Sequence, residues 1–237
     1  MVKYYKGKCY FGEKVHRQTI KARTACVILR YKVKDKFTVL TIRESPKKMI
    51  LEFPGGKVEP TDINIRDTLL RESWEEIVLK DDFHKASLQN WRSVHDGIKK
   101  GKDADSKFFT WLEKQLVKCP TTTYGNCPLR TVYYIVDISK IQATYLMETH
   151  GMIPFSVNFM SSTVTHNRTT KSKEKRFTRR TTYFHINGEE YRLRGRDFEG
   201  MFKYVSLLEK PVERILDWSR CRSPKLPPST LVPAVVQ

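Results

Sequence analysis

The chain is short of acid. Asp and Glu number 26 against 44 Lys and Arg, a formal net charge of +18 over 237 residues. An imbalance of this size says little about fold. It points to polyanionic partners, with RNA or DNA first and an anionic membrane surface second. Cysteine is also scarce. The five (Cys9, Cys26, Cys119, Cys127, Cys221) form no close pair, and the nearest two are spaced too widely for a zinc knuckle. They read as reduced thiols of a cytosolic or nuclear protein, with Cys26 in the core. The opening MVKYYKGKCYFGEK lacks the apolar region of a signal peptide, and no run approaches the ~20 apolar residues of a membrane helix. Without a secretory signal, the sequon at Asn167 carries no weight. There are no internal repeats, no GxSxG elbow and no Walker loop. His16, His84, His95, His150, His166 and His185 never fall at HExxH spacing, so each reads as a surface or structural residue.

What remains suits one globular domain over 1–221, followed by a Pro-rich tail over 222–237. Residues 1–20 predict an edge strand and loop. The run 24–32 (TACVILRYK) reads as a strand buried on both faces, and 36–44 (KFTVLTIRE) as its hairpin partner. A short strand over 49–53 leads into Pro54-Gly55-Gly56, and a helix is expected from about 63 to 79. Further strands are expected at 87–94, with Trp91 inward, and at 131–139. The stretch 95–107 reads as a charged loop, 108–117 as a helix and 119–128 as a loop. An insertion is read over about 95–130. A short helix fits 141–147. Asn187-Gly188 is a strong hairpin signal between 183–186 and 189–193. Another strand (202–207) and a closing helix (211–218) complete the reading. A polar, basic loop spans about 160–180. Within it, 168–180 (RTTKSKEKRFTRR) holds seven basic residues against one acid, with Phe177 interleaved. Trp91, Trp111, Tyr183, Phe184 and Phe202 fit either a core or a base-stacking face, and the core is favoured for each.

The chemistry concentrates in 55–76, GGKVEPTDINIRDTLLRESWEE. On a helical wheel at about 100° per residue, Glu72, Glu75 and Glu76 share one face, and Ile63, Leu70, Trp74 and Ile77 the opposite one. The apolar stripe is expected to pack on a sheet while the carboxylates point at solvent. Like charges at this spacing repel. A divalent cation offsets that repulsion, and oxygen donors without Cys or His suit Mg²⁺ or Mn²⁺ rather than Zn²⁺. Gly55 and Gly56 permit a tight turn that brings backbone near a ligand.

GGKVEPTD followed by RESWEE resembles the Nudix box, the loop–helix–loop signature of Nudix hydrolases. Against that family's pattern, Asp62 stands where a glutamate belongs. Eight residues, not seven, separate it from Arg71, so no role is assigned to Asp62. Ser73 takes an aliphatic position, and Val78 replaces a terminal glycine, so the helix is expected to run on toward Leu79 and Lys80. The Arg-Glu and Glu-Glu pairs are intact. The resemblance implies an α/β fold, a Nudix-like α/β/α sandwich with a mixed β-sheet, inserted loops and a flexible C-terminal tail. It also implies hydrolysis of a phosphoanhydride in a nucleoside diphosphate-linked substrate. Glu72, Glu75, Glu76 and the Gly56 backbone would hold Mg²⁺ or Mn²⁺, with Glu75 or Glu76 placing the water. Arg71 would orient a glutamate, and Glu59 would stand behind the metal ligands. Glu148, Glu189 and Glu190 are candidate downstream bases. The charge favours an RNA substrate, the mRNA 5′ cap, with Lys171, Lys173, Lys175, Arg176, Arg179 and Arg180 as RNA contacts. An ADP-ribose or similar pyrophosphatase is the alternative, and a non-catalytic RNA-binding module is a third reading.

Overall fold

In the computed structural model one long strand organises the rest. The structure describes residues 2–193 apart from 6–7, 16–17, 35, 46–47, 81–89, 120, 125–129, 157–164, 170–177 and 187–188. The expected strand at 202–207, helix at 211–218 and tail at 222–237 lie outside the described residues. Strand β1 is Val2–Tyr5, β2 Lys8–Val15, β3 Gln18–Val33, β4 Lys36–Ser45, β5 Lys48–Glu52 and β6 Gly55–Lys57. Helix α1, Ile65–Trp74, continues into a π-helical turn, Glu75–Leu79. Helices α2 (Trp91–Lys100) and α3 (Ala104–Leu116) follow, then β7 (Thr121–Tyr124), β8 (Arg130–Asp137), α4 (Lys140–His150) and β9 (Ile153–Ser156). Three further strands, β10 (Thr165–Thr169), β11 (Thr178–Ile186) and β12 (Glu189–Leu193), end the described chain.

The sheet is mixed. β3 pairs in parallel with β8 and antiparallel with β2, β4 and β6, while β12 joins β5 in parallel. The expected 187–188 hairpin is present, with Ile186 opposite Glu189. The expectation that β3 is buried on both faces holds. Val27, Leu29 and Tyr31 join the helix-side core, while Cys26, Ile28 and Arg30 on the other face are also buried. Arg30 pairs with Asp137 and lies over the Phe37 ring at 4.1 Å, so its charge is buried with compensation.

Ile20 and Ala22 also join the helix-side core, although they are even-numbered and Ala25 to Tyr31 are odd. A register shift between Ala22 and Thr24 explains this. One extra residue there reverses which parity faces the helices.

The helical layer departs from the sequence reading. Trp91 is inward, as expected, but it opens a helix rather than sitting in a strand. The charged stretch from 95 is helical as far as Lys100, and helix α3 begins at Ala104. Trp, Val and Gly97 are poor helix formers, so tertiary contacts decide the matter. The Trp91 indole donates to Asp67 on α1 at 2.7 Å and stacks on His95, and Ile98 is buried. Residues 121–124, read as loop, pair with β8 because an extended segment beside an open strand edge fills its hydrogen bonds. Helix α1 is therefore covered twice, by the sheet and by α2–α3. Trp74 meets Phe109 edge-on at 4.9 Å.

Candidate active site

The path into the site is set by two glycines. After β5 the chain turns at Pro54, whose carbonyl accepts from Val27 N at 2.8 Å, and β6 pairs with β3. Gly55 has φ +139°, and a Cβ there would run into the Ala25 carbonyl. At Gly56 a Cβ would occupy the space of the Glu72 carboxylate. Helix α1 then starts at an Asn64 cap, whose side-chain oxygen accepts from Arg66 N and Asp67 N at 2.9 and 3.0 Å. The expected start at Ile63 lies before this cap, and Ile63 is 59% exposed rather than packed.

The orientation of α1 corrects the solvent-facing expectation for its carboxylates. Ile65 and Leu69 share the sheet side of the helix with Glu72 and Glu76, while Leu70, Trp74 and Ile77 occupy the other apolar side. The glutamates thus turn toward the glycine strand and are largely covered, with 16% exposure at Glu72 and 18% at Glu75. Glu76 Oε2 accepts from Gly55 N at 2.7 Å. The helix continues to Leu79 and ends with Lys80 at φ +49°, as the lack of a glycine at Val78 predicts.

Arg71 is the hub and is 1% exposed. Its Nε donates to Asp62 Oδ1 at 2.8 Å, and Nη2 to Asp62 Oδ2 at 3.1 Å and Lys57 O at 2.9 Å. Nη1 donates to Glu72 Oε1 at 3.1 Å and Glu75 Oε1 at 3.3 Å. Burial alone would lower its pKa, but the Asp62 hydrogen bonds and the charges of Glu72, Asp62 and Glu75 outweigh it and raise the pKa. Asp62 Oδ2 also accepts from Glu59 N at 2.8 Å and Thr68 Oγ1 at 2.7 Å. Sequence reasoning left Asp62 without a role. Its signal was its position, since it stands where the family pattern places a carboxylate. Asp is one methylene shorter than Glu, and across the eight-residue gap it still reaches Arg71 with both carboxylate oxygens.

The site's electrostatics fit a cation. Desolvation raises the Glu72 pKa to about 7, against the lowering effect of Arg71 and with a further raising contribution from Glu75. Glu75 is raised as well, chiefly by desolvation, with Arg71 again opposing. Among the described residues no three His, Cys, Asp or Glu side chains gather as a closed metal cage. Glu72 and Glu75 meet at Arg71 while Glu76 is drawn to Gly55. Such an arrangement suits a divalent cation that takes one or two carboxylates and completes its coordination with water and substrate phosphate.

A pH dependence follows from Glu72. In the unfolded chain it titrates near 4.5 and in the folded protein near 7, so between these values the folded state holds more protons. Metal-free protein should therefore lose stability as pH rises from about 4.5 to 7, and Glu72→Gln should flatten that part of the profile. Thermal melts across this range, with and without Mg²⁺, test it. Because the cation competes with the proton, its stabilising shift should be larger above pH 7 than below it. An equal shift throughout would remove Glu72 from the cation's ligands.

Ser73 supplies a second test. Its hydroxyl is buried without a hydrogen-bond partner, at a position where the family pattern has an aliphatic residue. Ser73→Ala should stabilise the protein by about 1 kcal/mol, read as a higher denaturant midpoint at unchanged m-value. A lower midpoint would show that the hydroxyl is satisfied by water.

The other expected residues are dispersed. Glu59 is close enough for its charge to help raise the Glu75 pKa. Glu189 is held by Arg43 at 3.0 Å and by the Tyr191 hydroxyl, Glu190 stands opposite His185 in the β11–β12 register, and Glu148 lies in α4. His150 pairs with Asp105, and His95 with Glu113. Lys171, Lys173, Lys175 and Arg176 lie outside the described residues. Arg179 and Arg180 are in β11, opposite Arg168 and Asn167 of β10. No helix among the described residues is long and apolar enough to cross a membrane.

Residues 20–118 match the family model described as NUDIX domain, and no curated protein matches the chain. Enzymes of that family generally use divalent metal ions, in keeping with the all-oxygen donors beside Gly56. The matched span contains both glycines, Asp62, Arg71 and all three glutamates, so residues 20–118 carry a Nudix domain, which indicates a hydrolase of the pyrophosphatase type acting on phosphoanhydride bonds.

Proposed function

We propose that the substrate is the 5′ end of a capped RNA, cleaved to a capped nucleoside diphosphate and a 5′-monophosphate RNA. The observation that carries this reading is topological. Arg168 of β10 stands opposite Arg179 of β11, next to Arg180, β11 pairs with β12, and β12 pairs in parallel with β5, Leu193 opposite Leu51. Strand β5 leads directly into the Gly55-Gly56 turn. A strand pair carrying three arginines is thus joined through β12 and β5 to the segment that forms the site. A free nucleotide needs only a few local cations, whereas a phosphate backbone uses a long basic surface.

In this reading Glu72, Glu75 and Glu76, with the Gly56 backbone, would hold Mg²⁺ or Mn²⁺. Such an ion would supply charge neutralisation to the phosphoanhydride and would make water a better nucleophile. Arg71 keeps Glu72 and Glu75 side by side through charge-assisted hydrogen bonds, and Asp62 fixes Arg71 in turn. Glu75 or Glu76 orients the attacking water. Gly56 keeps the space that a Cβ would take from Glu72.

The test is to incubate the protein with Mg²⁺ or Mn²⁺ and with capped RNA and ADP-ribose in parallel, reading products by chromatography. Release of the capped nucleoside diphosphate is expected. Preferential cleavage of ADP-ribose would replace the cap by the nucleotide-sugar alternative. Neutralising Lys173, Lys175, Arg176, Arg179 and Arg180 together should weaken binding of long capped RNA and flatten its salt dependence. An equal loss on RNA and on ADP-ribose would instead give the segment a folding role.

A further inference from the structure

The Asp62–Arg71 pair has a further support that comes from outside the stretch 55–76. Trp91 opens helix α2 and is 3% exposed, and its Nε1 donates to Asp67 Oδ1 at 2.7 Å. A backbone carbonyl would be enough to satisfy a buried indole N–H. The acceptor is instead a carboxylate, itself 7% exposed, that carries a second bond. Asp67 Oδ2 accepts from Ile63 N at 2.8 Å. One oxygen of Asp67 thus holds α2, and the other holds the loop that enters α1. Asp67 lies in the first turn of α1, where the helix N-terminus favours its charge.

The Ile63 amide belongs to the peptide unit that begins at Asp62. A peptide unit is planar, so fixing its N–H direction fixes the plane on the C-terminal side of Asp62. The Asp62 side chain is aimed by bonds of its own. Its Oδ2 accepts from Glu59 N and Thr68 Oγ1, and both oxygens accept from Arg71. Arg71 Nη1 then reaches Glu72 and Glu75. A continuous series of bonds therefore runs from Trp91 through Asp67, the 62–63 peptide and Arg71 to two glutamates of the site. Behind Trp91, the His95 ring stacks on the indole at 5.3 Å and pairs with Glu113 of α3 at 3.4 Å, which braces the indole from α3.

We propose that Trp91 is a positioning residue of the cation site. By fixing Asp67 it holds the 62–63 peptide, keeps Asp62 aimed at Arg71, and so keeps Glu72 and Glu75 together at Arg71 Nη1. Helix α2 thereby acts on glutamates that it does not carry. The inference rests on the reading that Glu72, Glu75 and Glu76 hold a divalent cation, and it is independent of which substrate is cleaved.

The test measures Mn²⁺ binding to the full chain without substrate, from the electron paramagnetic resonance signal of the free ion. Trp91→Phe keeps an aromatic ring in the core and removes the N–H. The half-saturating Mn²⁺ concentration should rise about three- to tenfold. That is less than the roughly 10- to 100-fold that follows loss of a group bonded directly to a metal ligand, because the indole stands further back. Asp67→Asn should have the same effect with the indole packing intact, since the amide offers one oxygen where two N–H groups need acceptors on opposite sides. The double variant should bind Mn²⁺ no more weakly than Asp67→Asn alone, because both changes cut one connection. Ile98→Val is the control. It trims a buried side chain of α2 and spares the Trp91 bond, so its melting temperature should fall while its Mn²⁺ affinity stays at the parental value. Parental affinity in folded Trp91→Phe and Asp67→Asn overturns the proposal, since a bond of purely structural value would lower only the melting temperature. Equal weakening in Ile98→Val overturns it as well. If Trp91→Phe does not fold, Asp67→Asn set against Ile98→Val decides the matter. A parent that binds no Mn²⁺ removes the cation reading itself, whereas a parent that binds alongside variants that bind equally well removes only the role of Trp91.

Discussion

Glu75→Gln and Glu76→Gln should each lower turnover by on the order of 10²-fold or more while leaving the fold intact. The amide keeps the size of the side chain and its hydrogen bonds. At residue 76 a Gln oxygen can still accept from Gly55 N, which Glu76 engages at 2.7 Å. At residue 75 the loss is one of several Arg71 contacts, and Asp62 and Glu72 retain theirs. What disappears is negative charge, which a divalent cation requires and a neutral amide supplies poorly. Removing one of three adjacent carboxylates also relieves repulsion, so the melting temperature should hold or rise slightly. Steady-state rates at saturating Mn²⁺ together with thermal melts separate the two effects. A variant that keeps the parental rate under those conditions removes that residue from the cation's ligands.

Asp62→Ala should be the most damaging single change to stability, at about 3–5 kcal/mol, because it leaves a buried guanidinium without its main partner. Arg71 is 1% exposed and Asp62 side-chain exposure is 0%, so water does not readily replace the lost contacts. The same change strands the Glu59 amide and the Thr68 hydroxyl, both of which donate to Asp62 Oδ2. For a chain of this size the melting temperature should fall by roughly 6–20 °C. Arg71→Lys should move in the same direction, since an ammonium cannot reproduce the fork on Asp62 and Lys57 O. Combining Asp62→Leu with Arg71→Met should recover much of the stability but not the activity, because the buried charge is gone and the glutamates lose their spacer. A cost below about 1 kcal/mol for Asp62→Ala would mean that Arg71 finds solvent or another partner, and the keystone role would fall.

The sequence by itself determined the features that depend on neighbours along the chain. β3 and β4 were legible as apolar and alternating runs, the β11–β12 hairpin from Asn187-Gly188, and helix α3 from its spacing. Gly55 and Gly56 marked the turn, and Arg71, Glu72, Glu75 and Glu76 the chemistry, because residue type and interval alone define that signature. The tertiary structure decided the rest. Helix α1 has two apolar sides, one of Ile65 and Leu69 and one of Leu70, Trp74 and Ile77. A wheel cannot say which of them meets the sheet, so the glutamates were read as solvent-facing when they face the glycine strand. Helix α2 is built from residues with weak helical preference and is held by Asp67, one helix away in space and 24 residues away in sequence. The Asp62–Arg71 pair depends on how an eight-residue gap folds back, which neither charge nor spacing specifies. A strand presents two faces whatever its sequence, and burial of one of them, made by partners far along the chain, decides which becomes core.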